Sequence, residues 1–239
     1  MDFSRFWFGR CSARRHAAVA VLIAGGAVSY AVSPASGQAP AAPHEPVPNG
    51  TVDVGASRIY VLVGKSGLVG HVHAIEGRLI SGQVALGARE QAGALVFDMR
   101  SFLADTAVAR KVLGLEGDVD ASTQQQTNAN MLGSEVLDVA RHPTARFDIR
   151  SAVPRAQARQ GGPPAYELTG IFTLHGAQQP LALMAEVEDH GDALRLRGGF
   201  AVKQTAFGMK PYAKFGGMVG VADELKIWGD ISLAKGLQP

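Results

Sequence analysis

The chain has 239 residues, 46% hydrophobic and 18% charged, with a formal net charge of +2, a globular balance with enough length for a real core. Arg5, Arg10, Arg14 and Arg15 against Asp2 place the positive excess in residues 1–39, so the remainder is close to neutral and slightly acidic. With no basic surplus to neutralise phosphates, nucleic acid is excluded as a partner. The single cysteine, Cys11, precedes the apolar run, which excludes a disulfide, a thiol nucleophile and a thiolate metal site in everything after it.

Residues 1–16 are basic, and Ala17–Val32 then runs without a charge into the small residues Ser33 to Ala39. This order is that of a secretory signal peptide over residues 1–39. The apolar run is short for a membrane span, which needs about 20 residues. The mature form is therefore expected to carry no stable membrane span and to be periplasmic or secreted. Arg14-Arg15 also permits twin-arginine export, and Ala35-Ser36-Gly37 or Gly37-Gln38-Ala39 suits the peptidase. Residues 40–50, PAAPHEPVPNG, hold four prolines and no apolar period and read as an extended linker. Residues 51–239 show no further boundary and are expected to form one domain.

That domain reads as strands. Leu95-Val96-Phe97-Asp98-Met99-Arg100, Ala145–Arg150, Tyr166–Leu174, Leu194–Lys203 and Leu225–Leu233 all alternate apolar with polar, the pattern of a strand buried on one face. Many such strands joined by turns, at His175–Pro180 and Gly191-Asp192, imply a sandwich or barrel. Gly170, Gly198 and Gly229 inside strands suit bends in a curved sheet. Residues 104–137 lack period two. Ser122 followed by Thr123-Gln124-Gln125-Gln126 predicts a short helix over 122–132, before Gly133.

Four features invite a chemical reading. Gly64-Lys65-Ser66-Gly67 has a phosphate-loop flavour but lacks the upstream glycine, since position 59 is Ile59, and no helix signal follows. His71-x-His73 places two imidazoles on one strand face, half a metal site that His142 or His175 would complete. No nucleophile elbow or His-Glu-x-x-His is present, and Asp98, Asp138, Asp148 and Asp230 are isolated. Phe207–Met218 combines aromatics, methionines, Lys210, Lys214 and glycines, and is expected as a loop at a barrel mouth meeting an apolar chain and its polar head.

Asn130–Phe147, with its Gly133-Ser134-Glu135 and His142-Pro143 steps, resembles the helix-to-strand signature of the YceI-like family. Leu168-Thr169-Gly170 to His175-Gly176, then Gln179-Pro180-Leu181, resembles that family's central hairpin. Lys203-Gln204-Thr205 with Phe207-Gly208-Met209, then Val221 to Ile227, resembles its C-terminal signature. The three occur in the family's order over roughly 57–233.

The resemblance implies an all-β fold: an extended antiparallel eight-stranded lipocalin-like barrel. It also implies an exported binding protein that holds an isoprenoid lipid or isoprenoid quinone as its apolar ligand, without catalysis or a further cofactor. The chain departs from the family at Gly64–His73, glycine-rich where a longer alternating strand is expected. The residues expected to line the barrel or its mouth are Leu95, Phe97, Phe147, Leu168, Phe172, Phe200, Phe207, Tyr212 and Phe215. Two alternatives stand beside this reading. One is a metal-dependent periplasmic enzyme using His71, His73 and a third histidine; the other is a stress-related envelope protein with a filled barrel.

Overall fold

The computed structural model describes residues 50–157 and 161–235; the expected signal peptide and almost all of the expected linker lie outside them. The strands are β1 (Gly50–Ser66), β2 (His73–Val84), β3 (Gly93–Ala104), β4 (Thr144–Arg155), β5 (Ala165–Leu174), β6 (Ala177–Asp189), β7 (Ala193–Lys203), the two-residue β8 (Ala213–Lys214) and β9 (Val219–Ala234). Each pairs antiparallel with its neighbour in the order β1-β2-β3-β4-β5-β6-β7-β9, and β9 pairs back onto β1. Eight strands therefore close the barrel, and β8 pairs only with the start of β9. Closure leaves the barrel strands without a free edge.

The alternation seen in the sequence now has a direction. Leu95, Phe97 and Met99 on β3, Ala145, Phe147 and Ile149 on β4, and Leu194 and Leu196 on β7 all belong to the buried core. The intervening residues are more exposed, as Arg146 and Arg195 are. A side-chain period of two puts one set inside and the other in water. On β2, Gly77 leaves room for the Phe102 ring of β3, which a Cβ at position 77 would strike. Between β5 and β6 the connection is only His175-Gly176, both at positive φ (52° and 76°), a tight hairpin with left-handed central residues. The expected turn of six residues is thus shorter, and Pro180 lies within β6 opposite Ile171.

Among the described residues, two α-helices interrupt the strands where one was expected. The first, α1 (Ala107–Val112), is capped by Thr106, whose Oγ1 accepts from the Ala109 N–H at 3.0 Å. It covers the outer face of the sheet, packing Ala109 with Tyr60 and Ala74. The second, α2 (Ala121–Leu132), starts one residue before the expected position. Its N-cap is Asp120, whose Oδ1 accepts from the Thr123 N–H at 3.0 Å, while Ser122 donates to that same oxygen. Asn128 Oδ1 accepts from Ala104 N–H at 2.7 Å and Gln124 Nε2 donates to the Ala104 carbonyl at 2.9 Å, fixing α2 at the end of β3.

The two ends of the barrel differ. At one, the turn 85–92 folds inward: the Gly87 N–H donates to the Ala152 carbonyl at 2.7 Å and the Ala152 N–H donates back to Ala88 at 2.8 Å. Leu86, Val84 and Leu233 are all but fully buried there, with Val52 and Leu194. The other end collects α2, the turn after it, the start of β2 and the segment 204–218.

Candidate functional site

The interior is hollow. A cavity of about 210 Å³ runs through it, where a single enclosed water needs on the order of 10–15 Å³. The filled-barrel expectation is corrected on this point: the inward side chains line the barrel without filling it. Its wall comes from every one of the eight barrel strands, with Val61, Ile75, Phe97, Phe147, Leu168, Leu183, Leu196 and Ile227 among the apolar contributors. Thr127, Asn130 and Met131 of α2 and Val136 and Leu137 of the turn after it roof one end. The packed residues Val52, Val84, Leu86 and Leu233 stand outside the lining and stop the cavity at the other end.

Of the expected residues, Leu95, Phe97, Phe147, Leu168, Phe172, Phe200 and Tyr212 line this cavity. Phe172 is the centre of an aromatic group, edge-on to Phe97 at 6.2 Å, Phe200 at 5.6 Å and Phe207 at 5.7 Å between ring centroids. Edge-to-face contacts at these distances are favourable for rings and set the orientation of the wall. Phe207 itself is corrected from lining to backing: it is buried behind Phe172, in the short 3-10 turn Gln204–Phe207. Phe215, expected at the lining or the mouth, is 77% exposed in the 204–218 segment at the end opposite the packed one, and does not line the cavity.

The polar lining residues are His73, Thr127, Asn130, Gln204 and Tyr212, and all five sit at the end opposite the packed one. Asn130 Nδ2 donates to the Tyr212 hydroxyl at 3.3 Å, linking α2 to the 208–214 segment across the cavity's polar end. Gln204 Nε2 donates to the Ala222 carbonyl at 2.8 Å. His73 opens β2 and its Nδ1 lies 2.7 Å from Asp105 Oδ2.

Asp105 has a positive φ of 56° and a side chain with no exposed surface. Its Oδ1 accepts from the Ala74 N–H and from Arg110 Nη1, each at 3.1 Å. Burial alone would raise its pKa, but the hydrogen bonds from His73, Ala74 and Arg110 prevail and hold it below the usual 3.8. The carboxylate is therefore ionised at neutral pH and can only accept, so His73 Nδ1 donates to it.

The histidine expectation needs two corrections. His71 lies in the loop 67–72 rather than on a strand face, so only His73 belongs to β2. The group that assembles is His71, His73 and Asp105, with potential ligand atoms all within 4.8 Å of one another. His142 and His175 touch each other elsewhere, with ring centroids 4.4 Å apart and the planes tilted by 50°. The Arg110 guanidinium on Asp105 already supplies a positive charge to the carboxylate, which works against a second cation there.

Sequence reasoning missed the β1 contributors Ile59, Val61 and Val63 and the α2 contributor Met131. The β1 stretch Ile59-Tyr60-Val61-Leu62-Val63 is continuously apolar, because α1 covers Tyr60 on the outer face while Val61 faces the cavity. A strand covered on both faces loses its alternation. The glycine-rich departure at Gly64–His73 coincides with the end of β1 at Ser66 and the loop 67–72 before β2, while β1 itself pairs with both β2 and β9.

A YceI-like domain matches residues 51–233. Among solved structures, the chain is similar to Burkholderia cenocepacia BcnA, at 20% identity over 76% of this chain and 98% of that one, with a TM-score of 0.49. It is also similar to a polyisoprenoid binding domain from Saccharophagus degradans implicated in plant cell wall breakdown, at 11% identity over 79% and 99% of the two chains, with a TM-score of 0.52. Comparison with curated protein sequences finds no match. The second likeness supports the barrel fold alone, and the family rests on the match that spans all eight barrel strands. This chain belongs to the YceI-like family.

Proposed function

We propose that the protein is an exported carrier that holds one isoprenoid lipid or isoprenoid quinone inside its barrel, without catalysing a reaction. The observation that carries this reading is the cavity itself: apolar along its length, stopped at one end by Leu86 and Leu233, and polar only at the other. Such a container fits a long apolar chain with one polar end. Each buried CH₂ contributes about 0.8 kcal/mol, so the wall needs no special chemistry to bind tightly. The Tyr212 hydroxyl, Asn130, Gln204 and His73 offer donors and acceptors to a head-group oxygen. The solved domain similar to this chain that is called polyisoprenoid binding supports the ligand class. The basic-then-apolar sequence of residues 1–39 supports export to the periplasm.

Native mass spectrometry of the protein purified without added ligand, followed by organic extraction, tests the reading. A bound species of isoprenoid mass is expected. Ala185 lines the cavity from β6, and Ala185→Trp is expected to fill the space and abolish that species while the barrel stays folded. An empty wild-type barrel that also fails to take up an added isoprenoid quinone would overturn the carrier.

A further inference from the structure

The two most exposed large apolar side chains among the described residues are Leu68 at 85% and Phe215 at 77%. They come from distant parts of the chain but from adjoining loops. Leu68 and Val69 follow β1, and Phe215 and Met218 stand between β8 and β9. The Val69 N–H donates to the Met218 carbonyl at 3.0 Å. Gly67, at φ 82°, lies so close to the second loop that a Cβ would strike the carbonyls of Gly217 and Met218. Val69 and Met218 are themselves 61% and 53% exposed. The fold thus clamps four water-facing apolar side chains into one patch, which a soluble surface does not build without a use.

The patch has a location and a charge. β8 pairs with β9 through Ala213 opposite Gly220, and β1 pairs with the same stretch through Ser66 opposite Gly220. Both loops therefore stand at the polar end of the cavity. Tyr212, a lining residue, directly precedes β8, and Lys214 Nζ sits 5.5 Å over the Tyr212 ring. Residues 64–72 carry Lys65 and residues 208–220 carry Lys210 and Lys214, and neither segment contains an acidic residue. All three lysines are exposed.

We infer that this patch docks the cavity's polar end onto a membrane surface rich in anionic phospholipid. Leu68, Val69, Phe215 and Met218 enter the boundary between head groups and acyl chains while Lys65, Lys210 and Lys214 pair with lipid phosphates. Apolar insertion and basic attraction together give the two signals that stable yet reversible surface binding requires. The inference rests on the carrier reading for its purpose, because an isoprenoid resides in a membrane and must pass between bilayer and barrel. It does not rest on that reading for its evidence.

Sedimentation of the exported, mature protein with phosphatidylglycerol-containing vesicles, and with phosphatidylcholine vesicles, separates the possibilities. The wild type is expected to pellet with the anionic vesicles and to be released by high salt, which screens exposed charges. Leu68→Ser with Phe215→Ser is expected to lower the partition by about tenfold or more, given the apolar area withdrawn from the bilayer. Lys65→Glu with Lys214→Glu is expected to remove the preference for anionic lipid. Thermal unfolding of each variant, unchanged from wild type, shows that the barrel is intact.

Wild-type protein that stays in solution with anionic vesicles, or serine variants that pellet as well as wild type, would overturn the docking surface. Cargo is read separately by native mass spectrometry. Cargo without vesicle binding removes the docking surface and keeps the carrier, whereas patch-dependent vesicle binding by a barrel that never holds isoprenoid keeps the docking surface and removes the carrier.

Discussion

The two ends of the barrel use the same strands for opposite purposes. At the packed end, aliphatic side chains meet one another: Leu233 pairs opposite Val52 and Leu194, and the turn 85–92 brings Leu86 over them. At the polar end, β2 and β3 come together through a buried carboxylate, and the roof is a helix hydrogen-bonded to a loop. The first arrangement is close-packed and excludes everything. The second leaves a cavity beneath it and exposed apolar loops beside it. Stability is concentrated where nothing must enter, and recognition groups are concentrated where a ligand must pass, a division expected when ligand-handling regions are drawn from the less tightly packed part of a fold.

The comparison breaks most visibly at the packed end. Leu233 is 0% exposed, and Leu233→Ala removes contacts with no neighbour free to replace them, at an expected cost of about 2–5 kcal/mol in urea unfolding. Because the plug rather than the wall is damaged, the cavity's polar end is expected to keep its Asn130–Tyr212 hydrogen bond.

A smaller effect is expected at the join between β2 and β3. Asp105→Asn keeps the shape but removes the charge that Arg110 and His73 face, at a cost of about 1–3 kcal/mol for buried polar groups left poorly paired. The sign of its pH dependence follows from the depressed pKa. The unfolded chain takes up the proton more readily than the folded one. Asp105 therefore stabilises the fold in full above the ordinary carboxyl value of 3.8 and loses that contribution as pH falls through its lower folded value. Wild type minus Asp105→Asn, measured as unfolding free energy at and below the ordinary carboxyl value of 3.8, is expected to shrink as pH falls. A difference that stays undiminished as the pH is taken well below that value would contradict the network.

What was legible in the sequence follows the same division. Alternation in β3, β4, β5 and β7 could be read because each has one face toward the cavity and one toward water. The His175-Gly176 hairpin and the helix before Gly133 also carried local signals. Residues whose role depends on long-range meeting gave none. Asp105 is an isolated acid in the chain, and only the fold places it beneath His73, Ala74 and Arg110. The six-residue α1 is too short to show a period. His71-x-His73 has the spacing of a strand face, yet the loop 67–72 intervenes because Gly67 turns the chain after β1. Phe207–Met218 could be read as a mouth loop from its aromatics, methionines and glycines, but whether Phe215 faces the cavity or water could not, because that is decided by the turn at Gly216 and Gly217, both at positive φ.

The smallest expected effect is the sharpest test of the polar end. Tyr212→Phe removes one hydroxyl, which accepts from Asn130 Nδ2 at 3.3 Å, and leaves the ring in the cavity wall and under Lys214. A long hydrogen bond at a partly exposed site contributes at most about 0.5–1 kcal/mol net, so unfolding is expected to stay nearly unchanged. Ligand selection should move instead. If the hydroxyl meets the head group, Tyr212→Phe weakens binding of an isoprenoid quinone or alcohol by roughly fivefold, corresponding to about 1 kcal/mol. The same substitution leaves the matching hydrocarbon, which has no oxygen to lose, bound as before. Equal losses for both ligands would mean that Tyr212 acts through the wall, and would move the head-group contact to Gln204 or His73.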